Sequence, residues 1–256
     1  MNKIKKVISI SICSVFLNTS INAQQVANNN LINNSSFEIY EFCPKYYLSK
    51  KKFLPYWYSP TKGTPDYYNA CSNYKAGVPE NSVGFANAKN GNGYIGIGLV
   101  NNPHFLFSKN IYLREYVSTK LTYELIEGEL YCFKMNLSLA DYSKYVTDEI
   151  SVYFSKKKPR KRTNLHLPYQ PQIIFNDKMM DNDTAWVELK AFYKAEGDEK
   201  YITIGNFESQ REVNWVERDM KHLRKNIICD GAYYYIDDIV LYPINSNRNM
   251  EKDFTF

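Results

Sequence analysis

Histidine is scarce and scattered in this chain. The three residues, His104, His166 and His222, lie 62 and 56 positions apart, and no H-E-x-x-H occurs. There is also no G-x-S-x-G nucleophile elbow, no G-x-x-x-x-G-K-[ST] phosphate loop and no C-x-x-C pair. Nothing in the sequence nominates a nucleophile, a base or a zinc site, and each histidine reads as an ordinary loop or surface residue. Paired carboxylates are a separate case, because their spacing is set in three dimensions, and they leave a hydrolase open as a third reading. Net charge is small once the first residues are set aside. The formal +5 includes Lys3, Lys5 and Lys6, and beyond residue 23 there are 29 basic against 27 acidic groups. That balance does not suit binding of nucleic acid through overall charge.

Those three lysines open a segment of their own. Met1 to Lys6 is basic, Val7 to Leu17 is an apolar run, and Ser20-Ile21-Asn22-Ala23 ends on a small residue before Gln24. This is the plan of a secretory signal peptide over residues 1–23. The run is shorter than the roughly 20 residues of a spanning helix, and no later stretch approaches that length. Cys13 lacks the small neighbour of a lipidation site. The expected product is exported, to the periplasm, the outer-membrane surface or the extracellular space, with no transmembrane segment after cleavage.

Aromatic residues are what the chain has in excess: 23 Tyr, 14 Phe and 3 Trp. Such residues favour strands. Tyr131, Phe133, Met135, Leu137 and Leu139 alternate with polar residues and Cys132, as on a strand with one packed face. The same period runs through Ile150–Phe154, Val187–Ala191, Ile202–Ile204 and Tyr235–Leu241. Gly91-Asn92-Gly93, Glu127-Gly128 and Glu196-Gly197-Asp198 punctuate as turns. These patterns predict an all-β fold, an antiparallel β-sandwich. One stretch departs from the period. Val213, Val216, Met220 and Leu223 recur at helical steps, which predicts a short helical excursion near 209–225. The expected organisation is one sandwich domain over 24–245 and a tail over 246–256.

After the leader, four cysteines remain, an even number that in an exported chain suggests disulfides with three possible connectivities. Cys43-Pro44 and Asn69-Ala70-Cys71 both lie in turn-like sequence, so we pair Cys43 with Cys71 and leave Cys132 and Cys229 open. The densest charge cluster, Lys156-Lys157-Lys158-Pro159-Arg160-Lys161-Arg162, reads as a loop tip. It is either a solvated hairpin end that deters edge pairing or an anion site. Asp237 shares the inward phase of Ile239 and Leu241. A buried carboxylate there needs a cation or hydrogen-bond donors.

Two sets of residues carry a resemblance. Asn33-Asn34-Ser35-Ser36-Phe37-Glu38 and Tyr235-Ile236-Asp237-Asp238-Ile239 resemble the first and last strands of jelly-roll carbohydrate-binding modules. Trp57 to Thr61, Thr64 to Asn69, Arg114 to Val117, Ser138 to Asp141 and Tyr201 to Phe207 resemble a domain of Gram-negative envelope proteins that often precedes an OmpA-like domain. The OmpA-like part has no counterpart in these residues, so peptidoglycan attachment does not carry over. The resemblance implies that the sandwich is an antiparallel jelly-roll β-sandwich of the galactose-binding-like kind, with a structural Ca2+ ion held by Glu38 and Asp237 and Asp238 the alternate. Sugar sites combine aromatic platforms with polar edges. On that ground Trp57, Tyr58, Asp66, Tyr68, Asn69 and Trp186 are the candidate ligand-binding residues. The expected function is an exported, non-catalytic module that recognises glycan at or outside the cell envelope. The alternative is a structural or adhesion component whose partner is an envelope protein.

Overall fold

The computed structural model describes residues 29–46, 54–101, 113–209, 212–221 and 229–244. The proposed leader, the tail, His104 and His222 lie outside them. Fourteen strands follow in chain order. They are β1 (Trp57–Tyr58), β2 (Asp66–Asn69), β3 (Glu80–Asn81), β4 (Gly84–Phe85), β5 (Gly93–Asn101), β6 (Val117–Lys120) and β7 (Leu130–Leu139). The second half holds β8 (Tyr145–Thr147), β9 (Ile150–Ser155), β10 (Ile173–Phe175), β11 (Val187–Lys194), β12 (Tyr201–Gly205), β13 (Trp215–Glu217) and β14 (Gly231–Pro243).

Ten of these strands form two five-stranded sheets, ordered β1-β6-β12-β9-β10 and β11-β7-β14-β5-β2, with antiparallel pairing throughout. The all-β sandwich is the fold class that the alternating pattern implies. Between the sheets, Tyr131, Phe133, Met135 and Leu137 of β7 meet Val152 and Phe154 of β9 and Ile202 and Ile204 of β12 in one buried cluster. Phe154 lies stacked on Tyr193 of β11 at 4.3 Å, a ring contact across the sandwich.

Two expectations fail here for physical reasons. The stretch 209–225 is not helical where it is described. Trp215–Glu217 is a strand, β13, paired with β8, and Trp215 packs edge-on against Tyr145 at 4.7 Å. Val216, one of the supposed stripe residues, is 49% exposed. Strand pairing and a ring contact override a weak helical spacing. The phase assigned to Asp237 is also wrong. The pairing of β14 with β7 shifts register between Asp237 and Val240, and Asp238 takes φ +51°. Tyr234 and Ile236 before this bulge, and Ile239 and Leu241 after it, all face the common core. Asp237 therefore lies on the opposite face, in step with Tyr233 and Tyr235.

The outer face of the second sheet is covered as well. Tyr68, Tyr94, Tyr233 and Tyr235 form a second buried cluster there, closed by Ala76, Val78, Val83 and Ala86 of the segment that holds the β3–β4 hairpin. Phe133 sits at the centre of the sandwich, fully buried. Phe133→Ala should cost about 3–5 kcal/mol of stability in urea unfolding. A loss under about 1 kcal/mol would contradict the packing described.

Candidate functional site

Four of the six proposed ligand contacts are enclosed. Trp57 packs on Phe37 at 5.2 Å and donates its indole N–H to Asn34 O at 3.0 Å, which makes it a core anchor. In β2, Asp66, Tyr68 and Asn69 are all buried. Tyr233 donates its hydroxyl to Asp66 Oδ2 at 2.5 Å, which leaves Tyr68 to donate to Tyr233 at 3.0 Å. Burial first, and the Asp66 carboxylate second, hold both phenols well above their ordinary range. Asn69 donates to Tyr67 Oη at 2.7 Å and accepts from Cys71 N at 2.9 Å. Gly96 makes room for this network, since a Cβ there would stand 2.4 Å from the Tyr233 hydroxyl. A ring with no exposed face offers nothing for a sugar to stack on, so these residues build the fold.

The other two are partly open. Tyr58 accepts from Ser118 Oγ at 3.0 Å and lies under Lys158, whose Nζ is 4.2 Å from the ring centroid. Trp186 faces the outer side of the second sheet, where its ring meets Tyr94 edge-on at 5.7 Å and its Nε1 donates to Asn87 O at 2.9 Å.

Tyr56, Phe85, Tyr123 and Phe192 are exposed singly, and a group of exposed aromatics lies on the loops that the disulfide joins. Cys43 and Cys71 are bonded as paired from the sequence, with Cα atoms 6.0 Å apart across 28 residues of chain. Cys132 and Cys229 are not joined to each other. Around the bridge, Ile39, Tyr40, Phe42, Tyr46 and Tyr74 are 39–58% exposed. Tyr46 and Tyr74, from the two loops, meet at 6.1 Å, and Lys45 Nζ lies 5.5 Å from the Tyr74 ring. Asn34 fixes the approach to the first loop, donating to Ile39 O and accepting from Ile39 N, both at 2.8 Å. Glu41, Asn73 and Lys75 add exposed polar groups. None of these rings belongs to an alternating pattern. The signal available in the sequence was their position flanking the two cysteines.

Glu38, Asp237 and Asp238 do converge, on the turn at 89–93. Glu38 Oε1 accepts from Asn92 N and Gly93 N, both at 2.8 Å. Asp237 Oδ2 accepts from Asn90 N at 2.9 Å and Oδ1 from Asp238 N at 2.7 Å. Asn90 Nδ2 reaches Ser36 Oγ at 3.2 Å and Asp238 Oδ1 at 3.4 Å. Gly91, at φ +70°, has no space for a Cβ beside the Glu38 carboxylate. Burial, and then Asp238, push Asp237 up to about 7 against the pull of these amides. Calcium takes six to eight oxygens. Glu38 Oε1 and both oxygens of Asp237 accept backbone N–H donors, which leaves Glu38 Oε2 and the Asp238 carboxylate as the acidic oxygens without one, too few by themselves for the ion.

A cavity of about 190 Å³ lies at the open edge between the sheets, with Leu137, Phe175, Met179, Met180 and Leu189 as walls. Asp148, Asp177 and Asp181 also line it, with no histidine, serine or cysteine among the lining residues.

No family model matches this chain, and no curated protein matches it. Solved structures do. One is the xylan-binding CBM22-1 domain of Paenibacillus barcinonensis Xyn10C, at 10% identity over 74% of this chain and 86% of that one, with a TM-score of 0.37. TmCBM61 in complex with β-1,4-galactotriose is similar at 16% identity, 84% and 99% coverage and a TM-score of 0.37. A putative sugar binding protein from Bacteroides thetaiotaomicron gives 12%, 84% and 100%, and 0.38. Likeness of this extent leaves the chemistry to be argued from this chain's own residues.

Two measurements follow from the acids. An amide-filled cap at 89–93 predicts the same melting temperature in calcium and in chelator, and a loss of about 1–3 kcal/mol on Asp237→Ala. A rise of several degrees with calcium that Asp237→Ala abolishes would install the ion instead. Separately, Glu115 is raised to about 7 by burial and then Asp66, and Glu208 to about 7 by burial and then Glu149. The folded protein keeps protons that the unfolded chain releases near pH 4.5, so stability falls as pH rises toward about 7. Scanning fluorimetry should show a lower melting temperature at about pH 8 than at about pH 5, and a rise would contradict the assignment.

Proposed function

We propose that this chain is an exported, non-catalytic carbohydrate-binding module whose ligand rests on the aromatic loops tied by Cys43–Cys71. One observation carries the reading: Tyr40, Phe42, Tyr46 and Tyr74 are exposed on two loops that a covalent bridge holds together. Sugar rings present an apolar face to such aromatics, and phenol hydroxyls and nearby Lys45, Asn73 and Lys75 supply the polar edge. Holding the rings in place before binding lowers the ordering cost of the contact. The leader-like residues 1–23 and the disulfide support export. The periplasm, the outer-membrane surface and the extracellular space all fit that chemistry. Calcium joins this reading only through the chelator measurement above.

A second reading rests on Ile39 and Phe42, which are exposed and carry no hydrogen-bonding group. Such side chains suit a protein partner of the envelope, as in an adhesion component.

A glycan array with the purified protein separates the two. Binding to one glycan class should weaken at least about tenfold in Phe42→Ala/Tyr74→Ala, a loss of at least about 1.4 kcal/mol, with the melting temperature unchanged. Cys43→Ser/Cys71→Ser should weaken it as well. Binding that survives the loss of both rings, or silence across the array from a folded protein, would reject the glycan reading.

A further inference from the structure

The chain's positive charge is gathered in one place. Six of the seven residues 156–162 are basic, and the rest of the sequence beyond residue 23 has 23 basic against 27 acidic groups. The segment leaves the end of β9 as an ordered strap. Ser155 Oγ donates to Lys157 O at 3.0 Å, Pro159 is buried, and Lys161 N donates to Pro60 O at 2.7 Å. Lys62 N donates to Thr163 O at 2.9 Å, which lays a further exposed lysine beside the run. Lys156 is paired with Asp198 at 3.2 Å. Lys157, Arg160 and Arg162 are exposed and have no carboxylate within ion-pairing distance among the described residues.

Half-buried rings border the strap. Lys158 Nζ lies 4.2 Å from the centroid of Tyr58, and Lys161 Nζ lies 6.0 Å from that of Tyr169. Tyr169 stacks on Tyr153 at 4.8 Å with planes 14° apart. Fixed like charges raise the local potential and concentrate anions. Guanidinium groups at Arg160 and Arg162 suit planar or tetrahedral oxyanions. Lys158 covers one face of Tyr58 and Tyr153 one face of Tyr169, which leaves each half-buried ring at most one face for a pyranose. The disulfide suits an oxidising compartment outside the cytosol, away from the bulk of the cell's nucleic acid.

We propose that the 156–162 strap, with Lys62, Tyr58 and Tyr169, binds an acidic polysaccharide bearing carboxylate or sulfate groups. These residues are distinct from the aromatic loops, so the site does not depend on the function proposed for those loops. Anionic groups pair with Lys157, Arg160 and Arg162, and the sugar faces lie against the two tyrosines.

The test is retention of the purified protein by immobilised heparin and polygalacturonate, against neutral xylan, duplex DNA and anionic lipid vesicles. Binding to at least one acidic polysaccharide should weaken at least about tenfold between 50 mM and 300 mM salt. Lys157→Ala/Arg160→Ala/Arg162→Ala should weaken it at least about tenfold, with the melting temperature unchanged. Arg160→Lys/Arg162→Lys should keep most of the binding. Lys89→Ala/Lys178→Ala/Lys194→Ala, which removes equal charge elsewhere, should keep it too. No retention at low salt would overturn the proposal. So would an equal loss in the Lys89/Lys178/Lys194 variant, or binding of DNA or vesicles as tight as that of the polysaccharides.

Discussion

The buried hydroxyls on the outer face of the second sheet constrain everything else in this protein. Tyrosine covers area well in a sandwich, but each buried phenol needs a hydrogen-bond partner. The chain meets that demand with a closed polar network. Tyr68 leads to Tyr233 and on to Asp66, and Tyr235 donates to Asn81, whose amide donates in turn to Tyr94. The segment after β2 folds over these rings to supply Asn81 and the small residues above them. A sheet face filled by the protein's own side chains has no room for a ligand. Under the proposed function, recognition falls to the sandwich's loops.

Those loops have the complementary property. They lack the dense hydrogen bonding of the sheet, and a disulfide does the positioning. Cys71 lies two residues beyond β2, next to the tyrosine network, and Cys43 carries the other loop to it. The exposed rings are in this way tied to the buried tyrosine network. The basic strap follows the same logic with different bonds. Backbone hydrogen bonds with Pro60 and Lys62 hold the strap in place, and Tyr58 of β1, in the first sheet, lies under Lys158.

Much of the fold was legible because period two reports directly on a packed strand face. Tyr131 to Leu139 and Ile150 to Phe154 turn their alternating apolar residues to the core as the pattern implies, although Cys132, Asn136 and Ser138 on the other face are buried too. The turn-like settings of Cys43 and Cys71 pointed to their bond. The failures share one cause, since local pattern does not register what packs from outside. One residue inserted at Asp237–Asp238 reverses the phase of a strand without altering its composition. In β2 the alternation says which side chains oppose each other, but both faces are buried, so Tyr68 looked like a platform and is a core residue. Val216 matched a helical stripe, yet the residues around it are held by β8. The exposed Phe42 and Tyr74 had no periodicity to announce them.

The central claim is that ligands meet the disulfide-tied loops and leave the tyrosine-filled sheet face untouched. Hydrogen exchange of the protein, with and without the best glycan from an array, tests it most directly. The account predicts protection at residues 39–46 and 71–75, with the amides of β2 and β5 exchanging as they do in the free protein. Protection concentrated in 66–69 and 94–98, with the two loops unchanged, would contradict it and return the site to the sheet.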